Sequence, residues 1–432
     1  MMRVLVLSNV PWDTRNSYGN TLSNWFEGWD EVEFYNVYCR SSLPVNDVCK
    51  HYYTVPPLSL IKSFFRPSKI GFRFSTGDNK AEMDSEENSL IQSVQQGNKE
   101  WVYLISDLAY STGIWKTKFY KQFIKEANPD IFFSFGIADS FMYENYCYIK
   151  KHTNAKIVTF VADDVYGAYL NSQSLRGSLQ ATRFSKMIEM SDHLYGASEE
   201  LCGAYQKIFK KNFSPLYKGC ISISNEKQDV NDPIRIIYAG NLLWGRDAVL
   251  SEVVNSLEEI NADGIKACLE IYTGSAIGPE VAKKLNKGAS SRICGRLAYD
   301  EIVKIQNCAD VLLQVESFDK HQIDIVKYSF STKIIDCLQA GGTMLVIGPS
   351  GISSVEYSRR IPGVIVIDDL NNLTNTLRDV FINRMSLVER SKKIRKFAIK
   401  YHSISNIRDI LKNEFIKLVQ GNEYENFNNR KK

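Results

Sequence analysis

The sequence predicts an α/β protein made of two doubly wound parallel-sheet domains. Three observations carry this expectation. Short apolar runs alternate with helical patterns along the chain, the whole arrangement occurs twice, and 432 residues exceed what one hydrophobic core usually serves.

In the first half the β-rich runs are RVLVLSNV from Arg3, VEFYNVYC from Val32, DIFFSF from Asp130, KIVTFV from Lys156, HLYGAS from His193 and SPLYKG from Ser214. Most have continuous apolar centres, as strands buried on both faces of a parallel sheet require. Helical patterns lie between most of them, over 21–29, 116–127 and 198–209. In the second half the runs are IRIIYAGN from Ile234, ACLEIYTG from Ala267, SRICGR from Ser291, DVLLQVE from Asp310, TMLVIG from Thr343 and GVIVID from Gly363. Helical patterns there cover 248–260, 279–285, 299–307 and 332–339, and three more follow Asp368 over 373–382, 386–401 and 407–419. The polar stretch SNEKQDVNDP, residues 224–233, reads as a linker between an amino-terminal domain, 1–223, and a carboxyl-terminal domain, 234–420. The last residues, 421–432, are expected to fray. Within the first domain a variable insertion spans about 44–98. Its part over 75–98 is polar and reads as a mobile loop.

Composition narrows the function classes. The chain is 44% hydrophobic and 24% charged, as for an ordinary soluble globular protein. Its formal net charge of +4 is too small to imply nucleic-acid binding, and no recognition motif for nucleic acid is present. No apolar run is long enough to span a membrane, and the start lacks a secretory signal pattern. Nine cysteines without a CxxC pair or nearby histidines suggest reduced thiols in a cytoplasmic protein. One segment points to the inner face of a membrane. Residues 61–74, IKSFFRPSKIGFRF, carry Lys62, Arg66, Lys69 and Arg73 with Phe64, Phe65, Phe72 and Phe74 and no acid. Such a loop or broken helix suits peripheral docking on anionic lipid, or else packs its phenylalanines on the first domain.

Ligands of open α/β sheets bind beyond the carboxyl ends of the strands, so a cleft faced by the two domains is the expected site. Three loops there are informative. In YSFSTKIIDCLQAGG, Tyr328 to Gly342, Ser331 is a candidate N-cap that leaves the N–H groups of Thr332, Lys333 and Ile334 free for a phosphate, beside the Lys333 charge. Asp336 follows one turn later, within reach of a ribose hydroxyl pair. The same residues also fit a plain capped helix whose Asp336 complements the dipole. In YAGNLLWGRDAVL, Tyr238 to Leu250, Gly240 permits close backbone approach and Arg246 offers a forked donor; the pattern also fits a glycine turn with a solvated arginine. The third loop, SNVPWDTRNSYGNTL, supplies Asn16, Gly19 and Asn20.

These loops resemble those of the two-Rossmann GT-B glycosyltransferases, specifically the large retaining family four. YSFSTKIIDCLQAGGTMLVI is similar to that family's nucleotide-sugar signature, YAGNLLWGR to its phosphate-binding glycine loop, and SRICGRLAYDEIVKIQNCADVLLQVES to the segment that holds the nucleotide base. SDHLYGASEELCGAYQK matches the end of its first domain. The resemblance covers roughly 1–40 and 128–420. It implies that Asp336 stands at the ribose-binding position, that Ser331, Thr332 and Lys333 contact the diphosphate, and that Arg246 is a basic phosphate residue. The family's second basic residue is replaced by Asn241. Tyr328 occupies the place of the first Glu in the Glu-seven-residues-Glu motif, with Glu316 or Lys327 as its candidate substitute. The same resemblance implies donor contacts at Gly19, Asn20, Gly240, Gly274, Gly295 and Arg296. Asn16, Asp163 and Tyr166 are then candidates for the acceptor, and Asp164, Arg246 and Lys333 for catalysis.

The implied reaction is retaining transfer of a sugar from a UDP- or GDP-type nucleotide sugar to a lipid-linked or oligosaccharide acceptor in surface polysaccharide biosynthesis. No cofactor and no essential metal are expected, since no DxD pair lies near the loops. A nucleotide-sugar epimerase would share the fold and donor site, and a non-catalytic scaffold of a polysaccharide assembly complex would fit the replaced residues. A dehydrogenase is disfavoured, because no GxGxxG follows the first strands.

Overall fold

The computed structural model describes residues 1–64, 70–76 and 100–429. The first part of the chain forms β1 (Met2–Leu7), α1 (Ser17–Phe26), β2 (Val32–Tyr38), β3 (His51–Thr54), α2 (Pro57–Ser63), β4 (Phe72–Ser75), α3 (Glu100–Ser111) and α4 (Lys118–Ala127). It continues as β5 (Ile131–Phe135), α5 (Ser140–His152), β6 (Lys156–Val161), α6 (Val165–Asn171), α7 (Leu175–Met190), β7 (His193–Gly196), α8 (Glu199–Phe209) and β8 (Ser214–Pro215). The second part forms β9 (Ile234–Ala239), α9 (Arg246–Ile260), β10 (Ala267–Tyr272), α10 (Pro279–Leu285), β11 (Ser291–Gly295), α11 (Tyr299–Asn307), β12 (Val311–Val315), α12 (Lys320–Val326), α13 (Lys333–Ala340), β13 (Thr343–Ile347), α14 (Ser353–Arg359) and β14 (Ile365–Ile367). A short 3₁₀ turn then leads into α15 (Leu373–Ile382), α16 (Arg384–His402) and α17 (Ile404–Asn429).

Two sheets result. One runs β4-β3-β2-β1-β5-β6-β7-β8, parallel except for β4, and the other runs β11-β10-β9-β12-β13-β14, parallel throughout. Every run read from the sequence as a strand is one. Two strands were not read. β3 and β4 lie in the segment taken as an insertion, where HYYT and FRFS are too short and too polar for the pattern of a doubly buried strand. Residues 77–99, most of the expected mobile loop, lie outside the described residues.

One local device recurs where the central strands begin. An aspartate just before a strand donates its N–H to a carbonyl of the neighbouring strand, and its carboxylate accepts an N–H from that same neighbouring residue. Asp130 grips Arg3, with the Arg3 N–H 2.8 Å from its Oδ2. Asp192 grips Ile157 at 2.8 Å, and Asp310 grips Arg235 at 2.7 Å. The clamps join β5 to β1, β7 to β6 and β12 to β9, and each satisfies an N–H that the strand ladder leaves over. Asp310 is buried and is further held by Lys227 Nζ at 2.8 Å.

The chain divides into two compact units, Met1–Leu216 with the chain from Arg408 on, and Tyr217–Ile407. The first division falls before the polar stretch expected to be the linker. The reason is local: the Cys220 N–H donates to the His402 carbonyl at 2.7 Å, and the Ile221 N–H to Gln339 Oε1 at 2.9 Å, so these residues are already tied into the second unit. The second division falls inside α17, which continues to Asn429 where a frayed tail was expected. From Arg408 on, this helix is part of the first unit. Arg408 Nε donates to the Asn24 carbonyl at 2.8 Å, and Phe415, fully buried, packs against Phe26, Trp29 and Phe133 with ring centroids 5.7–6.1 Å apart. Trp25 extends the same aromatic core to Phe135 and Phe160.

Truncating Phe415 to alanine should therefore destabilise the amino-terminal unit by about 3–5 kcal/mol, the usual loss for a buried phenylalanine. Trp12, Trp25, Trp29, Trp101 and Trp115 precede residue 217, and only Trp244 lies in the second unit. Urea unfolding followed by tryptophan fluorescence thus reports mainly on the first unit, and its main midpoint is expected to fall.

Candidate functional site

In the carboxyl-terminal unit the carboxyl ends of β9, β10 and β11 and the start of α13 enclose a cavity of about 340 Å³. Gly240, Gly274, Arg296, Tyr299 and Asp336 line it. The reason for glycine at 240 is steric. A Cβ there would lie 2.2 Å from Lys333 Nζ, so only glycine leaves room for the lysine. The Lys333 ammonium lies over the Tyr238 ring, 5.2 Å from its centroid, with Nζ 3.5 Å from the phenol oxygen. Burial and the nearby Arg246 charge pull the Lys333 pKa down to about 8.

Arg246 opens α9 and is buried, unlike the solvated arginine its sequence context allows. Its Nε donates to the Val315 carbonyl at 3.3 Å, one terminal nitrogen to Asn241 Oδ1 at 2.9 Å and the other to Glu316 Oε2 at 2.9 Å. Glu316 is buried too and accepts from Gln314 Nε2 at 2.9 Å through its other oxygen. Asn241 and Glu316, both read as donor contacts, are thereby the two side chains that aim the guanidinium. Of its five N–H donors three are engaged, and two remain for a ligand.

The start of α13 differs from expectation in one respect. Ser331 is not its cap. Thr332 already has helical φ and ψ (−60°, −18°), so the Ser331 carbonyl accepts the Ile334 N–H at 3.0 Å and the Ser331 hydroxyl turns to Gln314 Nε2 at 3.3 Å. Ile334 is consequently not a free donor. The N–H groups of Thr332 and Lys333 have no partner among the described residues, and the exposed Thr332 makes no side-chain cap. The terminus keeps its open donors and their partial positive charge. One turn on, Asp336 is half-buried and faces the cavity. Burial pushes its pKa up, against the pull of Lys218 and Lys333.

At the far side Gly295 ends β11 with φ +78°, its carbonyl accepting the Thr273 N–H at 2.9 Å. Arg296 lies against Gly274, whose missing Cβ would be 3.2 Å from Arg296 Cδ. Gly274 and Arg296, separated in sequence, do meet. Tyr328 is half-buried with the Lys327 ammonium over its ring and is not among the residues lining the cavity. Three participants escaped sequence reading. Tyr238 was visible in YAGN but looked like strand. Tyr299 opens a helix as an unremarked aromatic. Lys218 precedes Asp336 by so many residues that no local pattern links them.

The first unit's candidates fare differently. Asn16 caps α1, its Oδ1 accepting the Gly19 N–H at 2.8 Å, and Asp164 caps α6, accepting the Gly167 N–H at 2.9 Å and the Tyr205 hydroxyl at 3.0 Å. Asp164 and Asn16 thus serve as helix caps, which Asp and Asn favour for their short acceptor side chains. Gly19 is required by packing, since a Cβ would meet the Asp13 backbone at 2.2 Å, and Asn20 is exposed. Tyr166 packs its ring on Phe184 and Phe209. Asp163 is exposed, and its charge helps raise the pKa of Tyr18, where burial is the larger cause. Of the expected docking segment, Phe74 is buried against Tyr52 and Arg73 is ion-paired with Glu126, so both belong to the sheet, while 65–69 lie outside the described residues. No helix among the described residues is long and apolar enough to cross a membrane.

No family model and no curated protein matches the sequence. Solved structures do match the fold. The chain is similar to the E. coli trehalose-6-phosphate protein solved with UDP-2-fluoro glucose, at 9% identity and a TM-score of 0.60 over 96% of this chain and 98% of that one. It is also similar to sucrose-phosphate synthase from Thermosynechococcus elongatus, at 10% identity and a TM-score of 0.61 over 98% and 100%. A UDP-forming trehalose-phosphate synthase from Burkholderia xenovorans matches at 10% identity and a TM-score of 0.61 over 97% and 99%. The chain has the α/β architecture of these GT-B proteins, with two parallel-sheet domains.

Proposed function

We propose that the chain is a glycosyltransferase that moves a hexosyl group from a nucleoside diphosphate sugar, of the UDP type, to a hydroxyl of a saccharide acceptor. The observation that carries this reading is that Gly240 and Asp336 line one cavity, with the Lys333 ammonium packed against Gly240 and the open N–H groups of Thr332 and Lys333 one turn before Asp336 on α13. A diphosphate at the helix start meets partial and full positive charge, and the Asp336 carboxylate is then placed for a ribose hydroxyl pair. Gly274 and Arg296 complete the wall on the side proposed for the base, with Gly295 just before Arg296. The neighbours solved with UDP-2-fluoro glucose or named as UDP-forming support a UDP-type donor.

The chemical demand of the reaction is stabilisation of the charge that grows on the departing diphosphate. Lys333 supplies it as a buried cation, and Arg246 through the two N–H donors left over from Glu316, Asn241 and Val315. A site of this kind needs no side-chain reorganisation at the moment of bond cleavage, and loss of one such donor typically costs about 2.7–4 kcal/mol of activation free energy. The resemblance of the α13 segment to retaining family-four enzymes supports retention of anomeric configuration. The same resemblance supports a lipid-linked or oligosaccharide acceptor, as in surface polysaccharide synthesis. Exposed apolar residues on α3 (Leu104, Ile105, Leu108) and α7 (Leu175, Leu179) fit an acceptor presented at a lipid surface.

A thermal-shift comparison of UDP, GDP and ADP tests the donor site. UDP at about 100 times its Kd should stabilise the wild type by roughly 2.7 kcal/mol, and Asp336→Ala should remove most of that response while leaving the unliganded transition near its place. A wild type that responds to no nucleotide overturns the proposal.

The depressed Lys333 pKa adds a pH signature. The ammonium is lost as pH rises through about 8, and a bound diphosphate favours the charged form. UDP affinity should hence fall between pH 7 and 9, by up to about tenfold per unit at the steepest point. Isothermal titration across that range should show the decline in the wild type, and Lys333→Met should bind more weakly with a flat profile.

A further inference from the structure

We propose that Gln314 is a positioning residue of the diphosphate site: its side-chain amide ties the Arg246 guanidinium and the start of α13 into one geometry, so that both act on one ligand. This role rests on the donor reading above, and every contact that defines it lies within the carboxyl-terminal unit.

The sequence makes Gln314 an oddity. β12 reads VLLQV, and all five residues are buried, as a strand covered on both faces of a parallel sheet requires. Gln314 itself is 0% exposed. An apolar residue would serve the packing better, because a buried amide must find partners for two donors and an acceptor. Gln314 finds them only for its donors. Its Nε2 donates to Glu316 Oε1 at 2.9 Å and to Ser331 Oγ at 3.3 Å, while its Oε1 is buried with no hydrogen-bond partner. An orphaned acceptor costs stability, so packing does not account for a glutamine here. What the position gains is the pair of N–H bonds.

Those two bonds lead to the two halves of the site. Glu316 takes the amide on one oxygen and the Arg246 guanidinium on the other, at 2.9 Å. Rotation of that carboxylate therefore disturbs both bonds at once. Ser331 immediately precedes Thr332 and Lys333, the residues with open N–H groups, and its carbonyl accepts the Ile334 N–H in the first turn of α13. Gln314 is not among the residues lining the cavity, so it acts through Arg246 and α13 and not on the ligand. Each half has other supports. Arg246 keeps its bonds to Asn241 and Val315, and the Ser331 N–H keeps Ser354 Oγ at 2.9 Å. Loss of the amide thus loosens the alignment of the cations while leaving both elements in place, and alignment is what a developing charge needs from its donors.

Isothermal titration of the full chain with UDP, and with uridine as a probe lacking phosphate, tests this role in the wild type, Gln314→Met, Arg246→Gln and the double variant. Methionine keeps the length of the side chain and removes both donors. Gln314→Met should weaken UDP about tenfold and uridine less than threefold. In the double variant the two losses should fall short of their product by at least fivefold, the mark of residues that act as one unit. Ser331→Ala, which leaves the β12 core untouched, should also weaken UDP and spare uridine, and it carries the test if Gln314→Met does not fold. Equal loss of UDP and uridine, losses that simply multiply, or UDP affinity indifferent to the substitution assigns Gln314 to packing and overturns the proposal alone. A wild type that binds no UDP overturns the donor reading and this role with it.

Discussion

Register is the constraint on which the rest of the molecule depends, and aspartates at the strand starts set it. Asp310 holds the first residues of β9 against β12, and Asp130 holds β1 against β5. A parallel pair cannot slip by one residue without turning every buried side chain outward, so a clamp at one end fixes what appears at the other. At the far end of β9 stands Gly240, and at the far end of β12 stands Glu316, close enough to receive Arg246. At the far ends of β1 and β5 stand Asn9 and Asp139, in contact at 2.7 Å. In each unit, the polar pair beyond the strands is the consequence of a carboxylate at their start.

The strands were legible because parallel strands buried on both faces leave an unmistakable mark, runs such as KIVTFV and DVLLQVE with helices between. The α13 loop was legible for a different reason: a helix start, a lysine and an acid one turn apart are local in sequence. What stayed hidden was non-local. Nothing in the order of residues announces that Glu316 will meet Arg246, or that Lys218 will sit near Asp336. Asp163 and Asp164 show a different difficulty, since acids at a strand end read equally as chemistry or as a loop cap, and the structure shows Asp164 capping α6. The clamps themselves were in plain view as Asp130, Asp192 and Asp310 opening their runs, yet an aspartate before a strand carries no meaning until its neighbour strand is known.

The donor site follows one electrostatic logic. Two cations lie close together, and unshielded they would repel each other. Glu316 neutralises Arg246, and the Tyr238 ring face supports Lys333. The depressed Lys333 pKa is the residue of that conflict, part burial and part repulsion by Arg246. A diphosphate resolves it, because it brings the negative charge that the site lacks. Positive charge of this kind destabilises the empty protein slightly; on the glycosyltransferase reading proposed above, it would stabilise the state in which the leaving group is most negative, the asymmetry that catalysis requires.

The same logic distinguishes the two pockets. Near Lys333 the open donors are backbone N–H groups and an ammonium, which fit a diphosphate of high charge. Around Asn9 and Asp139, in a cavity of the first unit, the groups are guanidiniums, an amide held in place and a carboxylate, a mixed set of donors and acceptors. Each pocket lies beyond strands whose opening residues are clamped, so its polar groups are held by the sheet and not by a mobile loop.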